Sequence, residues 1–159
     1  MMRFLGSVCL LLGTLGVSAL LTRRERQRAR IYGAILDWLR YIAAEIRCFG
    51  TPRERLFSAY ESETLEGCGF LSALRRGGAV AEAIKESRIE VSPSHTELLR
   101  DFDRALGSTY TEEQLTICAY YIERWEGVER EVREGLPQRL RLTRTVTLSL
   151  GMLLLLLLL

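Results

Sequence analysis

Apolar residues recur along most of this chain at helical spacing, and they run together without polar interruption only near its two ends. Ile31, Ile35, Trp38, Leu39, Ile42, Ile46 and Phe49 step by three and four, which predicts one long amphipathic helix over 23–49. Gly50 ends it. "TPRE" then supplies Thr51 as N-cap, Pro52 at the first helical position and Glu54 two residues later, so a tight corner should open a second helix carrying Leu56, Phe57 and Tyr60. That helix is expected to give way at "EGCG" (66–69).

"FLSALRR" and "AVAEAIKES" read as two short helices divided by Gly77 and Gly78. The glycine pair is a turn and not a phosphate loop, because neither GxxxxGK nor GxGxxG surrounds it. Ser94 as N-cap, Glu97 three residues on, the stripe Leu98, Leu99, Phe102, Ala105 and Leu106, and Gly107 as stop predict the next helix. "TEEQ" (111–114) caps the last one, whose Leu115, Cys118, Ile122, Trp125, Val132 and Leu136 keep a three-four rhythm, with Glu129 filling the gap. Gly127, Gly135 and Pro137 are expected to bend or interrupt it. No strand alternation of similar quality occurs, so the expected fold class is all-α, an antiparallel helical bundle of five or six helices.

The ends read differently. Phe4 to Leu21 is 18 residues without a charge, at the lower edge of the roughly 17–25 that span a bilayer. A cleavable signal peptide is the rival, since "VSA" (17–19) has the small residues of a cleavage site. One arginine precedes the run and Arg23, Arg24, Arg26, Arg28 and Arg30 follow it, the polarity of an uncleaved anchor whose C-terminal flank stays inside. Thr145 to Leu159 is 15 uncharged residues, about 22 Å as a helix against a hydrocarbon core of about 30 Å. Length favours a core helix here, but leucine on every face favours lipid, because seven leucines left in water would cost on the order of 10 kcal/mol. Snorkelling of Arg141 and Arg144 can make up the shortfall. The expected order is a transmembrane helix over 1–22, a cytoplasmic helical bundle over 23–144 and a second transmembrane helix over 145–159.

The net charge of +2 conceals a strong segregation. Arg139, Arg141 and Arg144 mirror the first arginine cluster, whereas residues 31–138 hold 13 Lys plus Arg against 19 Asp plus Glu, a net −6 that disfavours nucleic acid on that body. The arginines are suited to anionic membrane lipid. Four cysteines (9, 48, 68, 118) without a CxxC pair and one histidine, His95, supply neither a zinc site nor a disulfide framework, so the cysteines are expected to be reduced and structural. His95 falls in a polar first turn and is expected to face solvent. Glu123, Glu126, Glu129, Glu131 and Glu134 alternate with Arg124, Arg130 and Arg133 as a solvated, ion-paired face. Nothing assembles a nucleophile with a base, a metal cluster or a cofactor loop, so neither catalysis nor a cofactor is expected.

"AEIRCFGTPRERL" (44–56), "LLRDFDRALG" (98–107) and a leucine-rich tail after a basic stretch, set between two apolar runs, resemble the stage III sporulation protein AB family along the whole chain. That family is similar to the cytoplasmic helical domains of the type II secretion inner-membrane platform protein, the F component. The resemblance implies a structural subunit of the channel between mother cell and forespore, in the mother-cell membrane facing the forespore. It also implies docking of a hexameric secretion ATPase, the stage III sporulation protein AA, alongside other channel proteins of the stage III A operon. Glu45, Gly50, Thr51 and Pro52 match the family's first helix-helix corner, and Leu106 with Gly107 matches a helix end, all in structural roles. The chain has one bundle where the platform protein has two, so self-association stays open. The alternative is a membrane-tethered adaptor recruiting a cytosolic signalling protein.

Overall fold

The computed structural model describes residues 2–49, 53–77, 79–106 and 111–158; the side chains of 2–12, 14, 15, 53, 54, 58, 77, 111, 154, 155, 157 and 158 lie outside the description. Seven helices occupy the described residues, α1 (Met2–Phe49), α2 (Arg53–Ala59), α3 (Glu63–Gly67), α4 (Phe70–Gly77), α5 (Val80–Glu86), α6 (Pro93–Ala105) and α7 (Thr111–Leu158), and no strand is found among them. The chain divides into two units, one of residues 1–29 with 133–159 and one of residues 30–132.

In the 30–132 unit the three-four stripe of α1 is buried as its spacing predicts except at its last member, Phe49, which is 76% exposed at the helix end. Ile31, Ile35, Trp38, Leu39, Ile42 and Ile46 are buried and form one core with Leu56, Leu65, Phe70, Leu71, Leu74, Phe102 and Trp125. Trp38 is fully buried, its ring 5.6 Å from Phe70, 5.8 Å from Phe57 and 6.3 Å from Phe102. Its Nε1–H meets no hydrogen-bond acceptor, which costs about 1–3 kcal/mol. Burial of the largest side chain in the core offsets that loss.

Tyr32 of α1 ties three helices together. Its ring stacks on Trp125 of α7 at 5.5 Å, its carbonyl accepts from Trp125 Nε1 at 3.0 Å, and its hydroxyl accepts from Ser92 N at 3.2 Å before α6. The same hydroxyl meets His95 Nδ1 at 3.0 Å.

Several local expectations need correction. The second helix ends at Ala59, and Tyr60 lies beyond it, because Arg75 Nη2 captures the Tyr60 carbonyl at 2.8 Å and a fresh helix starts after Ser62. The turn at "EGCG" is present, with Gly69 at φ +82, a conformation that side chains strongly disfavour. Ser92 occupies the N-cap position of α6, two residues before the expected Ser94 and without a side-chain capping bond, since Pro93 has the fixed φ suited to a first helical residue and needs no N–H there. Gly127, Gly135 and Pro137 lie within α7 without ending it, Pro137 removing one ladder hydrogen bond from a helix that continues on both sides. Thr111 is already helical, and the corner residues Gly50, Thr51 and Pro52, with Gly107, lie outside the described residues.

A feature without a sequence cue is the buried carboxylate of Asp103, 8% exposed, which accepts from Val80 N at 3.2 Å. It serves α5 as an N-terminal acceptor delivered from α6, in place of a local cap.

Among the described residues no helix is long and apolar enough to cross a membrane. The two flanking transmembrane helices are therefore not supported there, and most of the 4–21 run and five of the seven final leucines have side chains outside the description.

Tyr32→Phe should lower the unfolding free energy by about 1–3 kcal/mol, because Ser92 N loses its acceptor and His95 its partner. Denaturant unfolding followed by tryptophan emission of the full chain measures it.

Candidate functional site

His95 is half-buried and not solvent-facing as expected, with Tyr32 at its Nδ1 and its ring edge-on to Tyr32 (5.6 Å) and Trp125 (6.2 Å). The cover that the sequence did not reveal comes from Tyr32 of α1 and Trp125 of α7. A tyrosine hydroxyl engaged by a backbone N–H and an imidazole is a joint between helices, well placed for stability rather than for proton transfer to a substrate.

Cys68 and Cys118 are buried and free, as expected of structural thiols. Burial pushes the Cys118 thiol up to about 11, and burial also raises Cys68, which donates to the Leu65 carbonyl at 3.2 Å. Cys48 departs from the expectation, because it is exposed near the end of α1, off the buried stripe. The side chain of Cys9 lies outside the described residues. No group of three or more His, Cys, Asp or Glu that could hold a metal ion occurs among the described residues.

Of the corner and helix-end residues, Glu45 is half-buried late in α1, where its charge adds to burial in raising the Tyr41 hydroxyl. Leu106 is buried and closes α6, its N–H donating to the Phe102 carbonyl at 2.9 Å.

The surfaces are more informative than the interior. Of twelve large hydrophobic side chains exposed among the described residues, ten belong to the 1–29 and 133–159 unit, among them Leu20 (66%), Met152 (68%) and Leu156 (69%). That unit carries nine arginines against Glu25 and Glu134, net +7, and the 30–132 unit carries net −5. Arg23, Arg24, Arg26, Arg30, Arg139, Arg141 and Arg144 are exposed, and Arg28 is half-buried.

On α7 the alternating charges do not simply pair along their own helix. Glu126 reaches across to Arg40 of α1 at 2.7 Å, and Arg40 also lies 3.7 Å from Asp37. The exposed stripe is Tyr120, Glu123, Gly127, Glu131 and Glu134. Tyr120 is 52% exposed, with the Arg124 guanidinium 5.6 Å from its ring centre, and it rests on Tyr121, whose ring contacts Phe102 in the core. An aromatic residue on the polar side of the stripe was the sequence signal for this patch.

These features define an all-helical protein that divides into an acidic core unit and a basic, apolar-surfaced unit, with no assembled reaction centre among the described residues. The chain belongs to the stage III sporulation protein AB family, whose pattern it matches over residues 3–159, and that membership assigns it to stage III of sporulation. No curated protein and no solved structure matches it, so the likeness to the type II secretion F component rests on the sequence resemblance alone.

Cys118 is protonated in the folded state below about pH 11 and in the unfolded chain only below about 9.0. Its contribution to stability is whole below pH 9 and is lost as pH rises from 9 to 11. Cys118→Ala should flatten that part of the pH–stability curve, measured by denaturant midpoints at pH 8 to 11.

Proposed function

We propose that this protein is a membrane-anchored structural subunit of the stage III sporulation channel between mother cell and forespore. Its 1–29 and 133–159 segments hold it in the mother-cell membrane, and its 30–132 unit docks a hexameric secretion ATPase, the stage III sporulation protein AA. The role is non-catalytic, and other channel proteins of the stage III A operon are its neighbours.

The observation that supports this most directly is the segregation itself. Exposed leucine, valine and methionine share a unit with arginine and almost no acid, the composition that lipid with a headgroup layer accepts and water does not. Apart from Phe49 at the end of α1, the acidic unit buries most of its large apolar residues in its own core, so what it offers a partner is mainly charge and the Tyr120–Arg124 patch. Aromatic and arginine anchors rimmed by charge are the usual content of a protein-docking surface. The Tyr120, Glu123 and Glu131 face of α7 is the proposed ATPase contact.

In-cell crosslinking from Glu61, Glu123 and Glu131, all exposed, tests it. Capture of a hexameric ATPase from Glu123 and Glu131, reduced about tenfold by Tyr120→Ala as expected for an aromatic anchor, is the predicted result. Capture of a cytosolic signalling protein instead would favour the adaptor reading, and capture of neither ATPase nor channel subunit would remove the platform reading.

A further inference from the structure

Arginine is the only basic residue type in residues 1–29 and 133–159, and the whole chain has a single lysine, Lys85. Among the described residues, the side chains of Arg23, Arg26, Arg139, Arg141 and Arg144 make no hydrogen bond or ion pair. In the 30–132 unit Arg40, Arg75, Arg76 and Arg104 each hold a carboxylate, and Arg24, Arg28 and Arg133 of the other unit also take part in interactions. The five arginines thus present guanidinium groups to the surroundings in a unit with hardly any acid to answer them.

Their positions add a second constraint. Arg23 and Arg26 are three apart on α1, as Arg141 and Arg144 are on α7, so each pair shares a helix face. Exposed apolar side chains begin at once on the far side, Leu21 and Leu20 just before Arg23 and Val146 just after Arg144. At about 1.5 Å per residue the guanidiniums stand within one helical turn of apolar surface. A ligand that satisfies both must carry phosphate oxygens and hydrocarbon in one molecule. The planar guanidinium takes two phosphate oxygens at a time, which an ammonium cannot do.

We infer that Arg23, Arg26, Arg139, Arg141 and Arg144 form a headgroup site selective for anionic phospholipids over zwitterionic ones. This rests on the membrane-anchored reading and adds the lipid class to it. A choline headgroup carries the same phosphate but places its own cation beside the guanidiniums, whereas a glycerol headgroup leaves the phosphate charge uncompensated. Nucleic acid offers the phosphates without acyl chains for Leu20 and Val146.

The test uses the full chain, purified in non-ionic detergent, stripped of lipid and incubated with phosphatidylglycerol or phosphatidylcholine, with retained phosphorus measured after gel filtration. Phosphatidylglycerol should be retained at least about tenfold over phosphatidylcholine, the preference falling with added salt. The variant R23Q/R26Q/R139Q/R141Q/R144Q should bring the ratio near one, and the corresponding lysine variant should fall between. A ratio near one for the unaltered chain, or an unchanged ratio in the glutamine variant, overturns the inference. Displacement of phosphatidylglycerol by a DNA oligonucleotide overturns it in favour of nucleic acid. If the glutamine variant does not fold, the salt dependence of the unaltered chain decides, a salt-independent ratio being contrary. Carbonate extraction of membranes separates the two levels: a chain retained in membranes with a ratio near one defeats the headgroup site alone, and a chain released defeats the anchored reading.

Discussion

The 30–132 unit depends on the engagement of Tyr32 with Trp125. These two residues are far apart in sequence, on the two longest helices, and they meet as stacked rings joined by an indole-to-carbonyl hydrogen bond. The Tyr32 hydroxyl extends the joint to the start of α6 through Ser92 and His95. With α1, α6 and α7 fixed in this way, Trp38 has a defined cavity to fill among Phe57, Phe70 and Phe102, and the short helices α2 to α5 have a surface to close over. None of those short pieces, five to eight residues long, would hold a helical turn by itself in water.

The same arrangement accounts for the division of charge. Because the apolar stripe of 30–132 up to Ile46 is consumed internally, its surface is free to be largely acidic and locally ion-paired. In the other unit the described large apolar side chains are mostly exposed, and five arginines, Arg23, Arg26, Arg139, Arg141 and Arg144, hold no carboxylate among the described residues. One chain thus carries two surfaces of opposite character. The proposed tethered role rests on that contrast, and family membership assigns the chain to stage III of sporulation.

The periodic features were legible in the sequence. The α1 stripe, the two short helices around Phe70 and Val80, and the burial of Cys118 and Trp125 follow from three-four spacing, which reports which side of a helix must leave water. What spacing cannot report is which distant groups meet. Asp103 looked like one more solvated acid and is instead buried against Val80 N, and His95 looked exposed because its cover comes from residues 63 positions before it and 30 after. The break at Tyr60–Ser62 has the same origin, an arginine 15 residues on that takes a backbone carbonyl. Surface partners were less legible still, since exposed arginine in sequence does not distinguish Arg40, which is paired, from Arg144, which holds no carboxylate among the described residues.

The most direct measurement of the proposal that the apolar ends are held in a membrane while the 30–132 unit faces the cytoplasm uses the exposed Cys48 of that unit. A membrane-impermeant maleimide would be applied to sealed vesicles of known orientation, with Cys68 and Cys118 buried as internal controls. The account predicts rapid labelling of Cys48 in inside-out vesicles and protection in right-side-out vesicles. Labelling of Cys48 in right-side-out vesicles, or equal labelling of protein free in the supernatant, would contradict it.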